Sequence, residues 1–178
     1  MSTLPDTLPD GSHRTRRPIA GDEYAMLRAF LTYQRETLLW KVSGLDDEQL
    51  RRPHVPSGLT LLGLVKHLTD VERSWFREVG FAQDLAEPWD PNDPQKFWRI
   101  EPHETTAQIV TAYTDEIAHI DRLLDAPGIG PETVVQRPRT GREGMTFRWL
   151  LLHMIEETAR HLGHADLIRE AIDGQTGE

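Results

Sequence analysis

The sequence predicts an all-α protein, arranged as a four-helix bundle with long connecting loops. Apolar residues recur every three or four positions through four segments of about 20 residues each. No stretch shows the apolar–polar alternation of a half-buried strand, and no internal repeat is present. We expect residues 22–178 to form one domain. The preceding residues 1–21, rich in Pro, Asp, Ser and Arg, are expected to form a flexible tail.

The first half of the domain contains two long helices and a short connector. The first helix is predicted over residues 22–43, with Gly44 ending it. Asp46 and Gln49 have the spacing of a capping box, which predicts a short helix over residues 46–51. The second long helix is predicted over residues 60–80. Its apolar face consists of Leu61, Leu64, Leu68, Val71, Trp75 and Val79.

The second half contains two further helices, predicted over residues 104–125 and 147–172, with Thr146 capping the last one. Two polar loops, residues 81–102 and 127–145, are longer than ordinary connections. Loops of this length often act as lids or as walls of a binding site.

The final helix carries polar side chains on the face that should point into the core. Phe147, Met154 and Ile168 share an apolar register, and the same register continues through Glu157 and His161. Buried ionisable groups are costly unless they are paired, hydrogen-bonded or bound to a metal. The pattern therefore favours a metal site, although a polar core that only fixes helix register stays open.

Helical spacing selects among the candidate ligands of this helix. Glu157 and His161 are one turn apart and can bind the same ion. His153 lies on the flank of the inward arc, and about 12 Å of helix rise separates it from His161, so it is not expected to be a ligand. His164, at the edge of the arc, is a candidate for a base or for a supporting position next to the metal.

A complete site needs a third ligand from a facing helix. His67 is the only histidine in the second long helix, near its middle, and His119 in the third helix is its competitor. His119 lies off the apolar face, so His67 is preferred. A set of two histidines and one glutamate suits zinc best, and nickel or ferrous iron remain possible.

Other side chains are candidates for catalysis or substrate binding. Glu72, near the centre of an apolar arc, could accept a hydrogen bond at the site or act as a base, but pairing with Arg73 or another cation is equally consistent. Trp89 and Trp98 are expected to line a pocket.

The second loop contains an arginine cluster, residues 137–142, that could bind an anionic substrate, and Arg139 is our candidate from it. Trp75 and Trp149 are instead predicted to belong to the core.

Composition excludes several classes of function. The net charge of −9 argues against general nucleic-acid binding. Cysteine is absent, which excludes disulfides, a cysteine nucleophile and cysteine-bound zinc, and favours a cytoplasmic setting. No apolar run approaches the roughly 18 residues needed to span a bilayer, and residues 1–20 do not have the apolar core of a secretory signal.

Two segments, TLLGLVKHLTDVERSWF and LLHMIEETARHLGHADLIRE, resemble the DinB-like (YfiT-like) metalloenzymes, and most closely the actinobacterial mini-circle proteins. The resemblance extends over residues 22–178 and implies a four-helix bundle. In that family one histidine of the second long helix and an HxxxH pair of the last helix hold the metal. The corresponding positions here are His67, Glu157 and His161. Glu157 replaces the usual first histidine of the pair, as in enzymes similar to mycothiol-dependent maleylpyruvate isomerase.

The resemblance implies that the metal activates a low-molecular-weight thiol (mycothiol, bacillithiol or glutathione). This thiol would be transferred to an electrophilic small molecule, or would isomerise it through an adduct. The alternatives are a metal-dependent hydrolase, with His164 or Glu72 as base, and a non-catalytic stress protein that binds a metal or a small molecule. A homodimer is also expected, since bundles with a wide apolar face often pair.

Overall fold

A computed structural model describes residues 14–86 and 92–176 of the chain. Within these ranges the protein is helical and contains no strand, only a single antiparallel bridge between Val134 and Thr146. The predicted all-α class is confirmed. The elements in chain order are α1 (Glu23–Val42), α2 (Asp47–Arg51), α3 (Leu61–Glu72) with a π-helical continuation (Arg73–Gly80), α4 (Thr106–Leu124) and α5 (Phe147–Asp173).

Short-range side-chain caps explain where the helices begin. Asp46 accepts from the backbone N–H of Gln49 while the Gln49 side chain accepts from that of Asp46, so the predicted capping box is confirmed. Thr146 caps α5 as predicted, by accepting from the backbone N–H of Trp149. The helix ends at Asp173, and Gly174 follows it with a φ of 78°, the left-handed conformation that glycine adopts without strain.

The second long helix differs from its prediction in its last two turns. The segment Arg73–Gly80, which we call the π segment, is wound with one extra residue per hydrogen-bonded ring. At its end the N–H of Phe81 donates to the carbonyl of Phe76 at 2.9 Å. Apolar residues four positions apart, such as Trp75 and Val79, lie on one face of an α-helix and also on one face of a π-helix. The pattern alone therefore could not reveal the change.

The long helices pack around two groups of buried apolar residues. Helix α1 packs mainly on α5, and α3 on both α4 and α5. One group joins α3 to the C-terminal half of α5, through residues such as Leu64, Leu68 and Ile168. The other surrounds the π segment and the start of α5, with Phe76 and Met154 fully buried. The face between α3 and α5 lies where these two groups meet.

A buried ion pair ties three helices together. Arg35 of α1 donates to both carboxylate oxygens of Glu72 in α3, at 2.7 and 2.6 Å, and both residues are buried. Arg35 also donates to Asp121 of α4 at 3.1 Å. Because both charges are removed from water, their bidentate contact is what makes this burial tolerable.

The first described residues lie against α1. The backbone N–H and hydroxyl of Thr15 both donate to Glu36, and the Arg17 guanidinium lies 3.9 Å from the ring centre of Tyr33. Residues 14–17 of the expected flexible tail are thus packed on a helix, and residues 1–13 lie outside the described ranges. None of the described helices is long and apolar enough to cross a membrane.

Candidate metal centre

Helices α3 and α5 bring together the three predicted ligands. One ligand atom each from His67, Glu157 and His161 lies within 4.8 Å of the other two. Nε2 of His161 is 3.3 Å from a carboxylate oxygen of Glu157, one turn earlier in α5. The His67 ring meets the His161 ring edge to face, with 4.9 Å between the ring centres.

The buried apolar neighbours of His67, Glu157 and His161 determine which way these three side chains point. Leu64 and Leu68, which flank His67 in α3, are fully buried, so His67 sits at the border of the packed face. In α5 the buried residues Met154 and Ala165 precede and follow the polar pair on the same side. Packing of the apolar residues thus turns the two histidines and the glutamate toward each other.

Burial keeps both imidazoles neutral at ordinary pH. It lowers the pKa of His67 to about 3, and the nearby His161 acts in the same direction. Burial also lowers the pKa of His161, opposed by the charge of Glu157. Neutral imidazole is the form that binds a metal ion.

The arrangement fits a divalent metal ion. When the bonds to a tetrahedral zinc are about 2.1 Å long, its ligand atoms are roughly 3.4 Å apart. The three ligand atoms here lie within 4.8 Å of one another, so small side-chain rotations would bring them to that spacing. Nδ1 of His161 is buried and has no hydrogen-bond partner among the described residues. Two neutral imidazoles and one carboxylate are common ligands of zinc, nickel and ferrous iron.

Trp98 forms one wall of this site. Its indole is stacked on the His67 ring with 3.6 Å between ring centres, and it lies 5.5 Å from the His161 ring. The loop that carries Trp98 passes close to α3 at Gly63, where a Cβ atom would come within 2.8 Å of the Trp98 carbonyl oxygen. The other tryptophan predicted to line the pocket, Trp89, lies outside the described residues.

Two candidates for a catalytic base are placed differently. Glu72 is held by Arg35 inside the helix packing and is not part of the three-residue group. His164 is exposed on α5, with its ring centre 5.7 Å from that of His161. His119, the alternative ligand on α4, is likewise not part of the group among the described residues.

A second group of side chains, which the sequence did not predict, continues from the candidate metal centre along α5. His153 packs between Trp75 and Trp149, and Arg139 lies over the ring of Trp75. Trp75 is buried as predicted, but the prediction for Trp149 is wrong, because 37% of it is exposed. The recurrence of Trp149, His153 and Glu157 at every fourth position was the available signal.

A further cavity is separate from these groups. It measures about 440 Å³ and lies between α3 and α4, where Lys66, Asp70 and Arg73 face Gln108 and Ile109. Burial raises the pKa of Asp70 to about 6. None of His67, Glu157 and His161 lines this cavity, so it is not the candidate metal site.

The fold and this site define a class: all-α proteins whose helices assemble a His/His/Glu set suited to a divalent metal. The family model described as MST, Mycothiol-S-transferase, matches residues 26–174, and the chain belongs to this family. It is a DinB-like family, so the resemblance found in the sequence is confirmed. A search of curated proteins finds no significant match.

Proposed function

We propose that the protein is a metal-dependent S-transferase that joins a low-molecular-weight thiol of the mycothiol type to an electrophilic small molecule. The observation that carries the proposal is the gathering of His67, Glu157 and His161 from two helices. Family membership supports the thiol and the class of reaction. Zinc is the expected ion, and nickel and ferrous iron are the alternatives.

His67, Glu157 and His161 would hold the ion, and a protein with three ligands leaves a further position for a substrate atom. When bound, a divalent ion lowers the pKa of a coordinating thiol, so that the thiol is deprotonated at neutral pH. The Trp98 indole shields one side of His67 from water. In the transfer, the thiol sulfur forms a bond to an electrophilic carbon, the leaving group departs with the bonding electrons, and the thiol proton goes to solvent.

The position of Glu72 weighs against the hydrolytic alternative. A hydrolase that uses a metal-activated water needs a separate base, and both carboxylate oxygens of Glu72 are held by Arg35. His164 remains as a base for that reaction. The same argument does not affect thiol transfer, in which the thiol needs no second base once it is deprotonated.

Metal analysis of untagged protein tests the site. We expect about one divalent ion per chain in the wild type and loss of most of it in His67→Ala, Glu157→Ala and His161→Ala. His103→Ala, at an exposed histidine in the loop before α4, is the matched control and should keep the metal. Full metal content in the three variants would rule out this site.

Activity measurements test the reaction. With metal-loaded protein and mycothiol, conjugation to an aryl halide such as 1-chloro-2,4-dinitrobenzene should exceed the uncatalysed rate and should fail in His161→Ala. The same preparations are tested for hydrolysis of a nitrophenyl ester. Metal-dependent hydrolysis that is indifferent to thiol, with no conjugation, would contradict the transferase proposal.

A further inference from the structure

Two tryptophans and two arginines form a group next to the metal centre, which we call the aromatic shelf. The Arg139 guanidinium lies 4.0 Å from the ring centre of Trp75, and that of Arg142 lies 4.6 Å from Trp149 and 5.9 Å from Trp75. His153 is stacked on Trp149, with 5.1 Å between ring centres and 19° between planes. The shelf thus presents flat rings beside two cations.

The arginines of this loop differ in how their charges are satisfied. Arg137 pairs with Asp84 at 3.0 Å, away from the tryptophans. Arg139 donates to the hydroxyl of Ser74 at 3.0 Å. The side chain of Arg142 makes no hydrogen bond or ion pair with any described residue. It lies over the two indoles, and its charge acts on the neighbouring Arg139 and His153.

A guanidinium stacked on an aromatic ring keeps its in-plane N–H groups available. Those groups form a rigid fork that matches a carboxylate with two hydrogen bonds, while the ring beneath holds the fork in place. Trp149 is 37% exposed, so a ligand can reach the ring that carries Arg142. Arg142 is therefore the arginine of the loop best placed to bind an anion.

The shelf and the metal centre share one row of α5. Trp149, His153, Glu157 and His161 follow each other at intervals of four residues, so their side chains lie one above the other. From Trp149 to Glu157 the helix rises by about 12 Å. His153 borders both groups, since it touches the two indoles and precedes Glu157 by one turn.

We propose that the aromatic shelf binds the electrophilic substrate, and that this substrate is an aromatic carboxylate whose ring carries the leaving group. Arg142 binds the carboxylate, the exposed ring of Trp149 and the His153 ring contact the flat body, and the reactive carbon lies toward His161. The inference rests on the proposed transferase function for the role of the ligand, but the binding site is defined by the shelf alone. It also predicts that the carboxylate and the reactive carbon are at opposite ends of the substrate.

Calorimetric titration of the full-length, metal-loaded protein tests the shelf without any turnover. The probes are 2-naphthoate and 2-naphthamide, which share shape and differ by one charge, with acetate as the bare anion. We expect naphthoate to bind at least about tenfold more tightly than naphthamide, and acetate to bind far more weakly than naphthoate. Equal binding of the two naphthyl compounds would overturn the proposal, as would acetate binding as tightly as naphthoate.

Arginine variants test which side chain makes naphthoate bind more tightly than naphthamide. Arg142→Gln should abolish the advantage of naphthoate, and Arg142→Lys should keep part of it, because it retains the charge without the fork. Arg137→Gln removes the same charge from the same loop and should keep the whole advantage. If naphthoate still binds more tightly than naphthamide in Arg142→Gln, or if the difference disappears equally in Arg137→Gln, Arg142 of the shelf does not bind the carboxylate.

Failure of the two proposals would look different. If no thiol is transferred to any electrophile but naphthoate still binds through Arg142, the transferase proposal fails and the shelf remains. If thiol transfer is found while naphthoate and naphthamide bind equally, the shelf proposal fails and the transferase remains.

Discussion

The imidazole of His67 lies flat against the indole of Trp98, with ring centres 3.6 Å apart and planes inclined by 12°. One residue comes from α3 and the other from the loop before α4. The stack fixes the rotation of the His67 ring while leaving its ring nitrogens at the edge, where they can bind an ion. A loop residue thereby determines the direction of a candidate metal ligand.

Replacing Trp98 should weaken metal binding without removing a ligand. We expect Trp98→Ala to lower the metal affinity about tenfold, in line with the usual effect of groups that orient a ligand. Trp98→Phe keeps a flat ring and should restore most of the affinity. Competition titration against a fluorescent chelator measures both, and equal affinities for the wild type and the Ala variant would disprove the orienting role.

Glu157 is expected to set the charge of the site. Glu157→His should keep about one metal ion per chain, because an imidazole also reaches an ion shared with His161 one turn later. Glu157→Gln should lose most of the metal, because a neutral amide is a poor ligand for zinc. Metal analysis after dialysis distinguishes them, and full retention by the Gln variant would remove Glu157 from the ligand set.

The pair of Arg35 and Glu72 should matter for stability rather than for chemistry. We expect Arg35→Met to lower the free energy of unfolding by about 3–5 kcal/mol, because it leaves a buried carboxylate without its partner. The double variant Arg35→Met/Glu72→Leu should regain most of this loss. Urea unfolding measures the change.

An exposed arginine of α5 supplies the control for that pair. Arg160→Gln is expected to stay within about 1 kcal/mol of the wild type. A double variant as unstable as Arg35→Met alone would contradict the explanation through an unpaired charge.

Asp70 should make stability depend on pH. Burial raises its pKa to about 6 in the folded protein, above the ordinary value of 3.8. The folded state therefore prefers the protonated form, and ionisation costs stability as the pH rises from 3.8 through 6, with the full cost present above that range. We expect Asp70→Asn to be more stable than the wild type by about 1–2 kcal/mol at pH 7.5, after allowance for partial exposure.

The same comparison at low pH supplies the control. Near pH 3 the Asp70 carboxyl is mostly protonated in the folded and unfolded states, so the advantage of Asp70→Asn should nearly vanish. Chemical unfolding of both proteins at the two pH values gives the difference. An advantage that is the same at both would mean that ionisation of Asp70 is not its source.

Local rules predicted most of the fold. The observed bounds of α1, α4 and α5 agree with the predictions within two residues at each end, because caps such as Thr146 and periodic apolar residues act over one or two turns. The winding of the π segment was not predictable, since positions four apart satisfy both types of helix. The pairing of Glu72 with Arg35 depends on how α1 meets α3, which no local pattern encodes.

The three gathered side chains of the candidate site were predicted, as was Trp98 for the lining of a pocket, but the contacts of the two loops with the site were not. The interval between Glu157 and His161 is a property of one helix, and His67 followed from its position in the second long helix together with the family resemblance. Trp98 reaches His67 only because a loop folds back over Gly63, and Arg142 reaches Trp149 by a similar return of the second loop. Contacts that depend on loop paths do not follow from periodicity.

The π segment has a consequence for how the candidate metal site and the aromatic shelf are aligned. Its wider turns absorb one additional residue without breaking the helix. Regular α winding of the same eight residues would turn each successive residue further than the wider turns do, so that residues of the segment would face a different direction. His67, which precedes the change, would keep its place, whereas Trp75 would turn away from Trp149 and His153. The winding of eight residues thus sets how Trp75 meets His153 and Trp149, one and two turns before the candidate ligand Glu157.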